Sequence, residues 1–325
     1  MSAQMRVLIT GASGFVGSAV MHQLAGNPKF EIVAAVRQPG PDCRNNIRFA
    51  KIVDITPDAD WRSALGGVKV VIHTAARVHV MRDAAADPLS AFRRVNVEGT
   101  LNLARQAALA GVRRFVFISS IKVNGEGTHT GSPYMADDEP APADPYGISK
   151  AEAEQDLRTL AAETGMELVI VRPTLVYGPG VKGNFLSMMQ WLNRAVPLPF
   201  GAIHNKRSLV ALDNLVDLIV TCVEHPAAAN QIFLVSDDED VSTTELLRRM
   251  SEALGKPARL LPLPVWLLTM GALVLGKRDL SQRLCGSLRV DISKTRNLLG
   301  WSPPVSVNDG LKATAQYFLT SEGAR

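Results

Sequence analysis

A phenol and an ammonium group lie four residues apart in the segment Asp-Pro-Tyr-Gly-Ile-Ser-Lys, residues 144–150. On a helix, Tyr146 and Lys150 would face the same side and could act on one bound molecule. A free phenol, with a pKa of roughly 10, is a poor acid and base at neutral pH, and a nearby cation favours its ionised form. The pair therefore indicates general acid/base chemistry, with an ordinary helix surface as the alternative.

A glycine-rich loop near the amino terminus could hold a phosphate group. Gly11, Gly14 and Gly17 follow a strand-like apolar run and precede a helical pattern. Glycine lets the backbone approach a pyrophosphate, and the N–H groups and dipole at a helix amino terminus stabilise the charge of that group. The Gly-x-x-Gly-x-x-Gly spacing at this place predicts dinucleotide binding.

Strand and helix patterns alternate through the first half of the chain. Apolar runs predict buried parallel strands at 7–9, 32–36, 68–72, 115–118 and 168–171, with a weaker one at 52–53. Helical patterns separate them, notably at 15–24, 89–109 and 146–163. After Arg172 the pattern changes to segments rich in proline and glycine, mixed with short helices. The predicted fold class is therefore α/β, a doubly wound parallel sheet (Rossmann) with a smaller, interleaved second domain that binds the substrate.

Composition excludes several classes of protein. The 325 residues are 46% hydrophobic and 20% charged with a net charge of +4, and no run of five like charges points to nucleic acid. Cys43, Cys222 and Cys285 are isolated, which argues for a reducing compartment and against a disulfide framework or a metal site. No secretory signal is visible, so we expect a cytoplasmic protein.

One apolar segment needs a separate interpretation. Residues 260–276 contain two prolines and are short for a membrane span. We predict a mostly buried helix, with a membrane-surface helix as the alternative, and no integral membrane association.

Seven motifs occur in order along nearly the whole chain. They are TGASGFVG (10–17), VDI (53–55), HTAA (73–76), NVEGT (96–100), ISS (118–120), YGISK (146–150) and RPTLVYGPG (172–180). In this order they resemble the extended short-chain dehydrogenases/reductases, a group containing nucleotide-sugar epimerases, dehydratases and reductases. The resemblance implies an NAD(P) cofactor, a UDP-linked sugar substrate and a homodimer formed through the helices at 89–109 and 146–163. It also implies an NAD(P)-binding domain at 1–178, joined by part of 209–235, and a nucleotide-sugar domain at 179–208 and 236–325.

The resemblance also implies roles for individual residues at the catalytic centre. Tyr146 becomes the acid/base, Lys150 its partner and a ligand of the cofactor ribose, and Ser120 the hydroxyl that binds the reacting oxygen. Ser120 is preferred to Ser119 because it lies four positions before Asn124, where relatives commonly carry the tyrosine of a Val-Tyr-Gly.

Cofactor residues follow from the same resemblance. The implied set is Gly11, Ser13, Gly14, Phe15, Val16, Gly17, Arg37, Asp54, Ile55, Thr74, Ala75, Ala76, Arg77, Asn96, Ser119, Tyr146, Lys150 and Pro173. An acid after the second strand binds the adenosine ribose in this fold, whereas a basic residue accommodates a 2′-phosphate. Arg37 stands at that place, so NADP(H) is favoured, with NAD(H) as the alternative. Asp54 would meet the adenine, and His73 is interpreted as structural.

Substrate residues are implied mainly in the second half of the chain. The set is Val78, Ser120, Lys122, Asn124, Tyr146, Asn184, Leu198, Phe200, Arg207 and Arg289. Asn184 and Arg207 would hold the diphosphate, with Leu198 and Phe200 near the uracil. Relatives often carry an Arg-Pro-Gly-Asp element before the carboxy-terminal LGWSPP, and Arg289 or Arg283 would replace it here.

Three activities remain open. Dehydratases use an Asp-Glu pair after the catalytic hydroxyl, and Ile121 with Lys122 stand there instead, which disfavours dehydration. Arg37 favours NADPH and therefore a net reductase. The stretches TAARVHVMRD, SSIKVNGEGT and AIHNKRSLVALDNLVDLIV resemble bacterial 4-reductases that act on UDP-4-keto-6-deoxy-N-acetylhexosamines, giving UDP-N-acetyl-quinovosamine or -fucosamine for O-antigen and other surface polysaccharide. We therefore predict an NAD(P)H-dependent 4-keto reductase. The alternative is a UDP-hexose 4-epimerase with tightly bound NAD, and a remote one is an NADP-sensing regulator without catalysis.

Overall fold

A computed structural model describes residues 4–38, 46–52, 54–78, 87–129, 131–274, 282 and 284–323. Among these the strands are β1 Met5–Thr10, β2 Phe30–Val36, β3 Ile47–Lys51, β4 Val70–His73, β5 Arg114–Ile118, β6 Glu167–Pro173, β7 Leu175–Tyr177, β8 Arg207–Ala211, β9 Gln231–Val235 and β10 Asp240–Val241. The helices are α1 Phe15–Ala25, α2 Arg62–Leu65, α3 Pro88–Arg93, α4 Thr100–Leu109, α5 Pro145–Thr164, α6 Gly183–Asn193, α7 Leu212–Glu224, α8 Thr243–Ala253, α9 Val265–Val274, α10 Ser293–Leu299 and α11 Val307–Gly323.

The main sheet has seven parallel strands in the order β3-β2-β1-β4-β5-β6-β9. Strands β4 and β5 are buried along their whole length, as expected of strands covered on both faces by helices. The strand order reverses between β1 and β4, and ligands of such sheets bind in the crevice outside the carboxyl ends at that point. The doubly wound parallel sheet predicted from the sequence is confirmed.

A second core lies beside a small sheet. In that sheet β8 pairs parallel with β7 and antiparallel with β10. The core contains aliphatic and aromatic side chains of β7, α6, β8, α8 and α11, among them Tyr177, Phe185, Leu247 and Phe318. The predicted division of the chain into two interleaved domains stays a prediction.

Two element boundaries differ from the sequence-based prediction. The third strand is Ile47–Lys51 rather than 52–53, because the pairing partner β2 runs alongside the earlier residues and Ile52 only begins the loop; Val53 lies outside the described residues. The helix predicted over 89–109 is interrupted by a π-helical turn at Arg94–Gly99. An added Cβ on Gly99 in this turn would lie 2.7 Å from the carbonyl oxygen of Ile55, so the turn is packed closely on the loop after β3.

The apolar segment at 260–276 was predicted wrongly. A mostly buried helix was expected, but α9 presents its side chains to solvent, with Trp266 65% and Met270 54% exposed. None of the described residues of α9 belongs to either hydrophobic core. Within the described residues, no helix is long and apolar enough to cross a membrane.

A buried ion pair joins α5 to the sheet. The Arg172 guanidinium on β6 donates from Nε and Nη2 to the Glu154 carboxylate on α5, and the two side chains are 1% and 4% exposed. Glu154 also accepts a 2.5 Å hydrogen bond from the Ser119 hydroxyl, and Arg172 Nη1 donates to Asn124 Oδ1 at 3.0 Å. Because every charge here has partners, the network holds α5 in one position on β5 and β6.

Breaking this pair should destabilise the protein strongly. We expect Arg172→Met to lower the free energy of unfolding by about 3–5 kcal/mol, since Glu154 would keep a buried charge without its counter-ion. The exposed pair Arg62–Asp60, at 84% and 57% exposure, supplies the control, and Arg62→Met should cost less than about 1 kcal/mol. Urea unfolding followed by circular dichroism measures both, and equal losses would contradict the assigned role of the buried pair.

Candidate active site

The glycine-rich turn after β1 is folded tightly. Gly11 has a left-handed φ of +67°, and its carbonyl oxygen accepts a 2.8 Å hydrogen bond from the N–H of Gly14. A Cβ on Gly17 would lie 2.2 Å from that same oxygen, so a side chain there would push α1 away from the turn. The glycines are therefore needed to bring the start of α1 against the ends of β1 and β4.

The amino terminus of α1 suits an anionic group. Gly14 is its N-cap and offers no side-chain hydrogen bond, and the first turn carries no acidic residue. Ser13 is exposed beside it, while Phe15 and Val16 are half-buried. The N–H groups of this turn can thus bind the pyrophosphate of a dinucleotide at the point where the strand order reverses.

His73 and the loop after β4 complete the neighbouring wall. The fully buried imidazole makes hydrogen bonds of 2.7 Å with Thr10 Oγ1 and 3.0 Å with Thr100 Oγ1, and burial lowers its pKa to about 3. The Thr74 hydroxyl donates to the Thr10 carbonyl at 2.7 Å. His73 is therefore a neutral structural residue. It ties β1 to β4 and to α4, and the half-buried residues Ala75, Ala76 and Arg77 follow on the crevice side.

The structure brings the three predicted catalytic side chains together. Ser120 lies next to Tyr146, and its hydroxyl lowers the pKa of the phenol. Lys150, 1% exposed, lies one turn further along α5, where Nζ donates to the carbonyl of Ile118 at 2.8 Å and lies 4.2 Å from the centre of the Phe117 ring. A phenol, a hydroxyl and an ammonium group thus converge at the carboxyl end of β5.

Burial governs the electrostatics of this group. In the protein by itself, burial raises the pKa of Tyr146 to about 12, and the Asp144 carboxylate adds to the rise. That Lys150 together with an oxidised nicotinamide favours the phenolate stays a prediction. Burial also lowers the Lys150 pKa to about 7, partly countered by Glu154. The lysine is therefore only partly charged near neutral pH, and the protein by itself keeps the phenol protonated.

Acidic and basic groups are paired at the start of α5. Asp144 caps the helix by accepting a 2.7 Å hydrogen bond from the N–H of Gly147, and its other oxygen accepts one from Lys122 Nζ. The same ammonium donates to Glu126 at 2.8 Å. Lys122, predicted as a substrate ligand, is thus held by two carboxylates, and it partly offsets the negative charge of Asp144 beside Tyr146.

Asn96 is placed by the π-helical turn. Its side-chain amide, 1% exposed, accepts from the N–H of Arg77 at 2.8 Å and donates to the carbonyl of the same residue at 3.0 Å. It also donates to Ser149 Oγ at 3.0 Å, and that hydroxyl donates to the carbonyl of Tyr146. Asn96 therefore connects the loop after β4 to the catalytic turn of α5, as a positioning residue within the predicted cofactor wall.

Four further predicted cofactor residues lie at the ends of strands or in the loops that follow them. Arg37 is exposed directly after β2, and the exposed Asp54 uses Oδ1 to accept from the N–H of Ile55. Pro173 ends β6 and is buried. Ser119 is 3% exposed and its hydroxyl is hydrogen-bonded to Glu154, so the side chain serves the protein interior.

Some of the predicted substrate residues are accessible and others are buried. Asn184 is exposed in the first turn of α6, and Val78 is exposed after β4. Phe200 is half-buried at the edge of the second core, and Leu198 is only 5% exposed within it, so its side chain is not available to a uracil ring. Asn124 is 2% exposed and its amide donates to the Met135 carbonyl and accepts from Arg172, which places it in the buried network rather than on the substrate surface.

One arginine of the small sheet and another bound to it were predicted as substrate ligands. Arg207, at the start of β8, donates to the carbonyl of Gly286 at 3.1 Å, and burial lowers its pKa while Glu126 raises it. Glu126 is the carboxylate that binds Lys122, so Arg207 lies close to the network beside Tyr146. Arg289 is bound through Nε to Asp240 at 2.5 Å; Arg283 lies outside the described residues.

Sequence reasoning missed several residues that shape this site. Asp144 could have been found, because Asp-Pro before a helical pattern is a typical N-cap and N1 pair. Glu154 carried no signal, since a glutamate within a helix is ordinary until Arg172 is seen to meet it. Ser149 and Glu126 were equally silent in the sequence.

Comparisons with known proteins extend this geometry. Residues 7–236 match the NAD dependent epimerase/dehydratase family. A UDP-glucose 4-epimerase of Vibrio cholerae is 51% identical over 314 residues, which cover 96% of this chain and 95% of the relative.

Two solved structures share the fold over nearly their whole length. A UDP-glucuronic acid 4-epimerase from Bacillus cereus in complex with NAD has a TM-score of 0.80 at 23% identity, covering 98% of this chain and 99% of that one. MoeE5 in complex with UDP-glucose and NAD has a TM-score of 0.78 at 25% identity, covering 98% and 99%. The narrower resemblance to 4-reductases is not supported, since the 51% identical relative is a 4-epimerase. The predicted family is confirmed: the chain belongs to the NAD dependent epimerase/dehydratase family.

Proposed function

We propose that the protein is an NAD-dependent 4-epimerase of a UDP-linked hexose, with UDP-glucose and UDP-galactose as the first pair to test. The observation that carries the proposal is the 51% identity, over 96% of the chain, to a UDP-glucose 4-epimerase. The neighbouring Ser120 and Tyr146, with Lys150 one turn away, supply the side chains that such a reaction needs.

The reaction divides between the cofactor and these side chains. Bound NAD would accept a hydride from C4 of the sugar and return it to the opposite face of the same carbon. Tyr146 removes the proton of the C4 hydroxyl as the hydride leaves and gives it back when the hydride returns. Ser120 donates a hydrogen bond to the C4 oxygen, which orients it and stabilises its charge.

Tyr146 must be ionised before it can act as the base. Its pKa of about 12 in the protein alone keeps the proton on the phenol at neutral pH. The positive charge of an oxidised nicotinamide close to the ring would favour the phenolate, and Lys150, with a pKa of about 7, would gain charge when ribose hydroxyls and the phenolate surround it. The base is therefore activated only in the complex with the oxidised cofactor.

The choice of an epimerase over the predicted reductase rests on the comparisons and on the redox balance. The reductase interpretation depended on Arg37 and on local motifs, whereas the 51% identical relative favours the epimerase. An epimerase oxidises and reduces the same carbon, so it consumes no cofactor. MoeE5 was solved with NAD and UDP-glucose, which supports NAD here, with Arg37 as an exposed residue beside the adenosine end rather than a 2′-phosphate ligand.

A UDP-linked substrate would lie between the catalytic end of β5 and the small sheet. Arg207 and Asn184 are proposed to bind the diphosphate, and Phe200 to contact the uracil. A homodimer formed through α3, α4 and α5 remains part of the proposal. On the surface of these helices, Arg93 and Glu152 form an ion pair that joins α3 to α5.

The activity can be tested without added cofactor. We expect the purified protein to convert UDP-glucose to UDP-galactose, and to release NAD rather than NADP when denatured. Tyr146→Phe should lower kcat by about 100-fold or more, because only the proton acceptor is lost. NMR of the sugar nucleotides gives the rates, and Tyr134→Phe, a tyrosine that donates to the Gly127 carbonyl, is the control.

Two outcomes would contradict this assignment. Stoichiometric consumption of NADPH with a UDP-4-keto-6-deoxy-N-acetylhexosamine, without epimerisation of any UDP-hexose, would restore the reductase. Near-normal turnover of Tyr146→Phe would remove Tyr146 from the reaction.

Binding of the UDP moiety is tested at Arg207. We expect Arg207→Ala to raise the Kd for UDP by about 10- to 100-fold, because a charge-assisted hydrogen bond to the diphosphate is lost. Arg194→Ala removes an exposed arginine after α6 and should leave the Kd unchanged. Calorimetric titration of UDP into each protein decides, with thermal unfolding to check the fold. Equal affinities of the two variants would place the diphosphate elsewhere.

A further inference from the structure

Helix α9 and the residues before it expose an apolar surface. Among the side chains described between 261 and 273, all are exposed except the half-buried Leu268. The large apolar side chains exposed here are those of Leu261, Leu263, Val265, Trp266, Leu267, Met270 and Leu273. Soluble proteins rarely expose a contiguous apolar surface of this kind unless it binds something, because the removal of each such side chain from water lowers the free energy.

The apolar segment also contains very few polar side chains. Residues 260–276 include no charged side chain, and Thr269 is their one hydroxyl residue. That hydroxyl donates to the Val265 carbonyl at 2.9 Å, so its hydrogen bond is made within the helix. A helix that is apolar all round fits a surrounding of hydrocarbon better than a flat contact on one face.

Basic residues precede the apolar segment. Lys256 and Arg259 lie just before it, and no acidic residue occurs from 253 to 276. Both basic side chains are exposed. Cations beside an apolar stretch complement anionic lipid headgroups, and an exposed tryptophan such as Trp266 suits the boundary between headgroups and acyl chains.

The described length of α9 is too short for a span. Ten residues of helix rise about 15 Å, whereas the hydrocarbon layer is about 30 Å thick. A second copy of the chain is a poorer occupant than lipid, because two such segments would bring the cations of both copies together. We propose that α9 and the basic residues before it form a membrane-surface anchor, which inserts into the outer part of an anionic phospholipid bilayer without crossing it.

The anchor is connected directly to the second core. Backbone hydrogen bonds join Leu198 to this segment: the Leu198 N–H donates to the Arg259 carbonyl at 2.9 Å, and the Leu261 N–H donates to the Leu198 carbonyl at 2.8 Å. The Gly201 N–H donates to Leu261 at 2.9 Å. A Cβ on Gly201 would lie 2.8 Å from the Leu260 carbonyl oxygen, so the two backbones are in close contact.

Docking would therefore hold the segment 198–201 at the membrane surface. This segment contains Phe200, to which the uracil contact is assigned, so the position of the substrate entrance near the bilayer rests on the proposed function. The docking itself does not, because it depends only on the exposure and the charges of α9.

The test is sedimentation of the full-length protein with vesicles. We expect binding to vesicles of phosphatidylcholine with about one-third phosphatidylglycerol, weaker binding to phosphatidylcholine alone, and a loss of part of the binding at high salt. Trp266→Glu together with Leu267→Glu should reduce partitioning by about tenfold or more, since two anchoring side chains become anionic. Leu109→Glu is the matched control, as Leu109 is 88% exposed at the end of α4, and it should bind as wild type does.

The remaining outcomes each count against the proposal. Absence of vesicle binding, or equal binding by the α9 double variant and the Leu109→Glu variant, overturns it. Self-association in solution that the α9 double variant abolishes, without vesicle binding, would assign the surface to a second copy instead. Turnover of UDP-glucose by the double variant should match wild type in the absence of vesicles, so failure of the anchor and failure of the proposed activity are measured separately.

Discussion

The site depends on how one face of α5 is fixed against the carboxyl end of β5. Tyr146, Lys150 and Glu154 follow each other at intervals of four residues, so they share that face. Each contacts a successive part of β5, β6 or the loop after β5. Tyr146 lies beside Ser120, and Lys150 donates a hydrogen bond to the carbonyl of Ile118. Glu154 accepts a hydrogen bond from Ser119 and forms an ion pair with Arg172. The buried Arg172–Glu154 ion pair fixes the rotation of α5 about its axis. This rotation in turn fixes the positions of the phenol and the ammonium group.

This arrangement explains why the catalytic groups are poised rather than active. Burial disfavours both the phenolate and the ammonium ion, and Asp144 at the helix start adds a negative field that Lys122 partly cancels. Ionising Tyr146 then requires a positive charge brought by the bound cofactor. Such a base suits a reaction that oxidises and reduces the same carbon, because Tyr146 can accept a proton only while the oxidised cofactor is bound.

The sequence was sufficient wherever function required a local pattern. Gly11, Gly14 and Gly17 predicted the turn, and the spacing of Tyr146 and Lys150 predicted their shared face, because turn and helix geometry are set by neighbours in the chain. It was insufficient where the partner is distant. Glu154 meets Arg172 across α5 and β6, and Leu198 is buried because its backbone pairs with the segment around Leu260.

The exposure of α9 could not be predicted for a related reason. It depends on how much protein surrounds the helix, and composition does not contain that information. An apolar run such as 260–276 predicts a buried helix only if the fold has an open core to receive it. Here the cores were closed by β7, α6, β8, α8 and α11 without it.

The central claim is a closed hydride cycle on C4 with Tyr146 as the proton acceptor. The most direct measurement is the fate of deuterium in UDP-glucose labelled at C4, followed by NMR and mass spectrometry in ordinary water with excess unlabelled NAD. We expect UDP-galactose that keeps the deuterium at C4, with no deuterium in the solvent or in the free cofactor. Loss of the label to water, or its transfer to free NADH, would contradict it.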